Sequence, residues 1–244
     1  RNLMFHPYAS IQGVFPQDLD GYRGPGNCIW SQEFYETNKE RGYLRGFTYE
    51  CTRGRAPVAT ALTGLFTGRL PFGENHHAAF RKLVNRISGM VAICEDLPEE
   101  HNRVTIDPEL KDPDGIPAPR LDYTLGENSR RMLDFAVERG TEVLKAAGAV
   151  DVMTESPIAV GGWHLMGTAR MGKDPACSVV NEWGRAHDVR NLFIVDGSVF
   201  VTSAGVNSTR TIPCVRWRGR SEGRTWASVP TAARCRFGTS PRRR

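Results

Sequence analysis

Two stretches of this 244-residue chain concentrate side chains suited to proton chemistry. Residues 161–172 read GGWHLMGTARMG and carry His164 between Trp163 and Leu165. Residues 191–212 read NLFIVDGSVFVTSAGVNSTRTI and carry Asp196, Gly197 and Asn207. Histidine is the side chain that accepts a proton near neutrality without a large perturbation of its pKa. A lone histidine beside a tryptophan is more often a packed, hydrogen-bonded core residue than a catalyst, so His164 by itself does not establish the chemistry. The run Gly167–Lys173 imitates a phosphate-binding G-x-x-x-x-G-K loop, but the next residue is Asp174. The hydroxyl that would hold magnesium is therefore absent, and a carboxylate there repels phosphate.

In combination and in order, these stretches resemble the C-terminal signature of the glucose–methanol–choline (GMC) oxidoreductases. The matching residues are His164, Gly167-Thr168, Arg170-Met171-Gly172, Asp196-Gly197-Ser198 after an apolar run, and Asn207 about ten residues later. The opening RNLMFHP is similar to the family's N-L-x-x-H-P stretch at Asn2, Leu3, His6 and Pro7. The resemblance extends from residue 1 to about Ile212. Leu165 stands where a proline is frequent, Ala169 where a cysteine is, and Val201 and Ser208 where prolines are common. None of these departures removes a reacting group.

The resemblance implies an FAD-dependent oxidoreductase acting on CH–OH donors, in which a hydride passes from carbon to the flavin N5 as the hydroxyl loses its proton. It implies His164 as the base and Asn207 as the second hydrogen-bonding group on the developing alkoxide, a role for which a convergent donor is suited. It also implies backbone at Asp196 and Gly197 against the cofactor, Gly197 lacking a Cβ. A helix start at Asn207, Ser208 and Thr209 would face the flavin's negative edge. The implied partners are a small alcohol or sugar and an electron acceptor such as oxygen, a quinone or a cytochrome. Asn207-Ser208-Thr209 also spells an N-glycosylation acceptor, which a cofactor-facing position makes a chance match.

The elements that position these residues are unevenly visible. Residues 1–80 are rich in Gly, Pro and aromatics and read as loops and short strands, for example over Tyr43–Tyr49, with turn chemistry at Gly21–Gly26. Met90–Cys94 reads as a buried strand, and alternation at Val104/Ile106 and Leu121/Tyr123/Leu125 predicts an antiparallel pair around the turn-rich Asp112–Pro119. Thr124-x-x-Glu127 matches a capping box, and apolar residues from Met132 to Ala147 predict a helix over about 127–147 ending at Gly148. A short strand follows, and Leu192–Val195 reads as a continuous apolar strand. The fold class is α+β: a mostly antiparallel sheet of a substrate domain backed by helices, plus the C-terminal remnant of an FAD-binding α/β domain. The expected division is 1–160 for substrate-domain segments, 161–213 for the region completing the flavin site, and 214–244 for a basic tail.

Composition excludes other classes. The net charge of +5 comes from the last 31 residues, where nine arginines meet one acid, Glu222. The remaining 213 residues hold 23 basic and 26 acidic groups, so nucleic acid is not an expected partner. Six cysteines without C-x-x-C spacing argue against a metal site or a disulfide framework and fit a reducing, cytoplasmic compartment. No apolar run approaches the roughly 20 residues of a membrane span. No G-x-G-x-x-G follows a strand, so the FAD fingerprint is expected upstream and the chain is expected to be a truncated form. Pro213 should interrupt the helix following Asn207, and the arginine-rich tail reads as an out-of-frame product. The competing reading is a non-catalytic fragment or binding module that keeps the fold without flavin.

Overall fold

The computed structural model describes residues 1–24, 27, 29–66, 68–159, 161 and 163–208. Its centre is a five-stranded antiparallel sheet in the order β3 (Ile29–Ser31), β4 (Phe47–Thr52), β5 (Ile87–Cys94), β2 (Tyr8–Val14), β8 (Asp151–Glu155). Two smaller sheets flank it. One pairs β1 (Met4–His6) with β9 (Trp163–Met166), and the other is the hairpin of β6 (Arg103–Lys111) and β7 (Pro117–Asp122). The α+β reading and the antiparallel β6–β7 pair are therefore present.

Period-two alternation divides the central sheet into two faces. Ala9 and Ile11 of β2, Phe47 and Tyr49 of β4, and Met90, Ala92 and Cys94 of β5 pack with Met132, Leu133, Ala136 and Leu144. Those last four lie on α3 (Glu127–Ala146), whose apolar stripe at helical spacing covers this face. The other face carries Tyr8, Ser10 and Gln12. Register aligns Glu50, Val91, Ser10 and Glu155 in one row across four strands, with Thr52, Gly89, Gln12 and Met153 in the next. Gly89 is required here, because a Cβ would strike the Ile11 carbonyl and crowd the Gln12 side chain. Gln12 uses that space to donate to Ser10 Oγ at 3.2 Å and Thr52 Oγ1 at 3.3 Å.

α3 ends as expected. Gly148 has φ +95°, and the amides of Gly148 and Ala149 reach the carbonyls of Lys145 and Leu144. Its start differs, since Thr124 forms no capping box and the residue before the helix is Gly126. Buried Asn102 explains this: it donates to the Thr124 carbonyl at 3.1 Å and accepts from the Thr124 amide at 2.7 Å, holding that residue outside the helix.

Two further expectations are corrected. Residues 1–80 contain two helices, α1 (Pro57–Phe66) and α2 (His76–Leu83), as well as the central strand β2. Leu192–Val195 does not form a strand: it makes one isolated bridge, Arg185 to Phe193, and its Leu, Phe and Val side chains are exposed. Around that bridge the Leu192 carbonyl accepts from the Ala186 amide and the Ile194 amide donates to the Gly184 carbonyl, and no further ladder or covering layer is found among the described residues. The alternation at Val104, Ile106 and Leu121 marks the antiparallel hairpin as expected, and these side chains are exposed.

Asp96 joins several of these parts. Its carboxylate accepts from Ser129 Oγ on α3 at 2.8 Å, from Tyr123 Oη at 2.8 Å and from the Phe5 amide on β1 at 3.4 Å. Its backbone exchanges hydrogen bonds with Ser203 Oγ, which donates to the Asp96 carbonyl and accepts from the Asp96 amide. Asp96→Ala leaves Ser129 and Tyr123 without their acceptor and should destabilise the chain by about 3 kcal/mol, read as a lower urea midpoint. Burial raises the neighbouring Glu95 carboxyl to about 7, against the pull of Arg45 and of backbone hydrogen bonds at Gly205 and Gly46. A raised folded-state pKa contributes stability below the unfolded value near 4.3, and that contribution is lost as pH rises through about 7. The urea midpoint should therefore fall between pH 5 and pH 8 through this group, and Glu95→Gln should flatten that part of the curve.

Candidate active site

His164 lies on β9 opposite β1. The register runs Met4 to Met166 and His6 to Trp163, so β9 spends one residue more than β1 over the same span. That extra residue makes a bulge, and His164 within it has φ +59°. A left-handed backbone at a non-glycine residue costs on the order of 1 kcal/mol, and bulges re-aim side chains. Here the ring is turned toward β1 and the polar face of the sheet.

Two side chains meet one nitrogen of the imidazole. His6 Nδ1 is 2.8 Å from His164 Nδ1, with the rings edge to face, and Tyr8 Oη is 3.2 Å from the same nitrogen. His164 Nε2 has no hydrogen-bond partner among the described residues. Partial burial lowers the His164 pKa, and the negative charge of Glu50 on β4 works against that shift. The neutral imidazole is thus the resting form near pH 7, with Glu50 available to stabilise the protonated one. Tyr8, raised by burial and by Glu50, remains a phenol. His6 is fully buried and lowered to about 4, by burial first and by His164 second.

Asn207 is exposed at the end of the described chain, and its Nδ2 donates to Glu50 Oε1 at 2.5 Å. No hydrogen bond joins His164 to Asn207 among the described residues. Both answer to Glu50, which bonds one and biases the pKa of the other. Asp196 is exposed, and its carboxylate accepts from the Ser198 amide at 2.8 Å, capping the 3-10 turn Gly197–Val199. Through that turn the Ser198 and Val199 carbonyls accept from the Ala169 and Met171 amides, tying the Asp-Gly-Ser segment to the stretch following β9. Ser208 is buried. Thr209, the helix expected after it and the tail 214–244 lie outside the described residues.

Beside Trp163, a cavity of about 350 Å³ opens over the polar sheet face, lined by Ser10, Gln12, Thr52, Arg55 and Glu155 among others. Trp163 packs edge to face on Tyr8 at 4.8 Å between ring centroids. The cavity therefore reaches the residue next to His164. Sequence reasoning missed Glu50, Tyr8, His6 and the Ser10/Gln12 row as parts of this site. The alternation of polar and apolar residues in Tyr8–Val14 was the available signal. The donor set suits a hydride acceptor's reacting end: an imidazole with one open nitrogen, an amide donor and a polar cavity. A glycine fingerprint for the diphosphate end does not occur in the sequence.

Residues 98–215 match the family model for GMC oxidoreductase, its C-terminal domain. The chain is 39% identical over 218 residues to 2-methyl-1,2-propanediol dehydrogenase from Mycolicibacterium austroafricanum, covering 86% of this chain and 39% of that protein. It is 36% identical over 226 residues to the fructose dehydrogenase large subunit of Gluconobacter japonicus, covering 89% of this chain and 39% of that protein. A crystal structure of pyridoxine 4-oxidase from Mesorbium loti shares the fold with a TM-score of 0.52 at 15% identity, over 88% of this chain and 41% of that one. The chain thus spans about two fifths of the length of these proteins. Sequence motifs, fold and relatives converge, and the chain belongs to the GMC oxidoreductase family, whose C-terminal portion it carries.

Proposed function

We propose that this chain supplies the substrate face and the proton-handling side chains of an FAD-dependent oxidoreductase acting on the CH–OH group of a small alcohol or sugar. The observation that carries this reading is His164, held at Nδ1 by His6 and Tyr8 with Nε2 open, beside a cavity lined by both polar and apolar side chains. GMC oxidoreductases are generally flavin-dependent, and the relatives include a diol dehydrogenase and a fructose dehydrogenase subunit. On this reading residues 1–160 provide the substrate-facing sheet and 161–213 complete the flavin side.

Bound FAD would supply the hydride acceptor. His164 Nε2 takes the hydroxyl proton, and Glu50 stabilises the imidazolium that results. Asn207 Nδ2 has two hydrogens; Glu50 holds one, leaving the other for the developing alkoxide. Ser10, Gln12, Thr52 and Glu155 supply hydrogen bonds to the remainder of a polar substrate. Asp196, Gly197, Asn207, Ser208 and Thr209 are the residues that would meet the cofactor.

In the FAD-loaded protein containing this chain, His164→Ala should slow single-turnover flavin reduction by roughly 10²–10⁴-fold, the ordinary worth of a general base. His164→Asn should do the same while tolerating the left-handed backbone, which separates strain from chemistry. Asn207→Ala should cost about 10²-fold, as for loss of one oxyanion donor. An undiminished rate in both His164 variants would remove that residue from the mechanism. Glu50→Gln deletes the charge that raises the His164 pKa, so the acidic limb of the kcat/KM profile should move to lower pH. A limb that stays in place would break the assigned link between the two.

A further inference from the structure

We propose that His6 is a positioning residue for His164, fixing its tautomer so that Nδ1 carries the proton and Nε2 is left as the basic nitrogen. The proposal rests on the reading of His164 as the proton acceptor and adds a residue that this reading does not require.

A neutral imidazole has one N–H, and a 2.8 Å contact between two Nδ1 atoms needs one donor and one acceptor. Two assignments exist. In the first, His164 Nδ1–H donates to the His6 Nδ1 lone pair, and the proton of His6 sits on Nε2. In the second, His6 Nδ1–H donates to His164 Nδ1, and His164 is protonated at Nε2, where it has no capacity to accept.

The geometry at His164 Nδ1 and the chemistry of the step select the first. Tyr8 Oη also lies 3.2 Å from His164 Nδ1, and an N–H shared between a nitrogen and a phenol oxygen satisfies both contacts at once. A single in-plane lone pair at His164 Nδ1 serves only one donor well. His6 Nε2 is buried and has no hydrogen-bond partner among the described residues in either assignment, so that nitrogen does not distinguish them. Last, the first assignment survives the reaction. When the substrate O–H bond breaks and an Nε2–H bond forms, His164 Nδ1–H already points at an acceptor, and no proton on His6 has to move. In the second assignment, protonated His164 would press its Nδ1–H against that of His6.

The setting keeps His6 in its role. It is fully buried on β1, held well below its usual pKa and therefore neutral across the working range. The titratable groups around the pair are Tyr8 from β2, a phenol throughout, and Glu50 from β4. Asp96 is bonded to the Phe5 amide next to His6. Neutral His6 acts as an orienting acceptor, as a buried carboxylate does in other acid–base pairs, but without adding charge.

The test begins with the 244-residue chain uniformly labelled at histidine nitrogen. Long-range proton–nitrogen correlation near neutral pH should show His164 protonated at Nδ1 and His6 at Nε2; the reverse pattern overturns the proposal. His6→Asn keeps an acceptor oxygen near the Nδ1 position and should preserve the Nδ1–H tautomer of His164. His6→Leu should shift His164 toward Nε2–H, and in the FAD-loaded protein lower kcat by about 10²-fold with KM nearly unchanged, the scale of a misaligned reacting group. His6→Asn should recover most of that loss. A His164 tautomer indifferent to His6→Leu overturns the proposal. Should the Leu variant fail to fold by circular dichroism, the wild-type and Asn spectra decide alone. These spectra need no flavin, so failure of the tautomer assignment and failure of His164 as the base are read separately.

Discussion

A buried aspartate with four separate attachments, three through its carboxylate and one through its backbone, is the constraint that the site geometry depends on. Asp96 closes β5 and bonds to the first turn of α3 through Ser129, to the end of the hairpin through Tyr123, and to β1 through the Phe5 amide. Its backbone pairs with Ser203, four residues before Asn207. Burial raises its pKa, and the hydrogen bonds from Ser129 and Tyr123 oppose that rise. An acceptor-only group converging on several donors is economical in a core, because each donor would otherwise be buried unpaired. One residue thus ties β1, which carries His6, through its side chain, and the segment leading to Asn207 through its backbone.

The sheet converts that anchoring into a division of labour. One face is apolar and filled by α3, and the other carries a row of Glu50, Val91, Ser10 and Glu155 in register across four strands. Slipping any strand by one residue would exchange the faces, burying Glu50 beneath the helix and exposing Tyr49 or Met90. Register in this sheet is thus enforced by packing, and the polar face gains its order from the apolar one. The bulge at His164 adds an irregular step, turning a ring from a separate two-stranded sheet toward this face.

How much of this was legible in sequence depended on whether a signal was local. The 20 residues of α3 repeat at helical spacing and end on a glycine with φ +95°, so the element was visible nearly to the residue. The start was not, because Asn102, more than twenty residues earlier, holds Thr124 away from its apparent capping role. Strand β2 was hidden by Ser10 and Gln12, which make a central strand look half exposed, and α1 and α2 by their brevity. His164 and Asn207 stood out because several motifs occurred in order. Glu50 did not, since one acid in a strand reads as a solvated face until the 2.5 Å contact with Asn207 is seen. The strand read at Leu192–Val195 failed for the opposite reason: hydrophobicity is local, but the neighbours that would complete a sheet are not.

The left-handed backbone at His164 subjects that position to two independent demands, one conformational and one chemical. Asparagine and glycine meet the first at little steric expense and cannot meet the second. On the proposed reading, drift at this codon toward either residue would keep the bulge and the strand pairing while removing the proton acceptor. Among homologous chains, well-folded but inactive descendants should accordingly be recognisable by the identity of this single residue, with no accompanying decay elsewhere in the sheet.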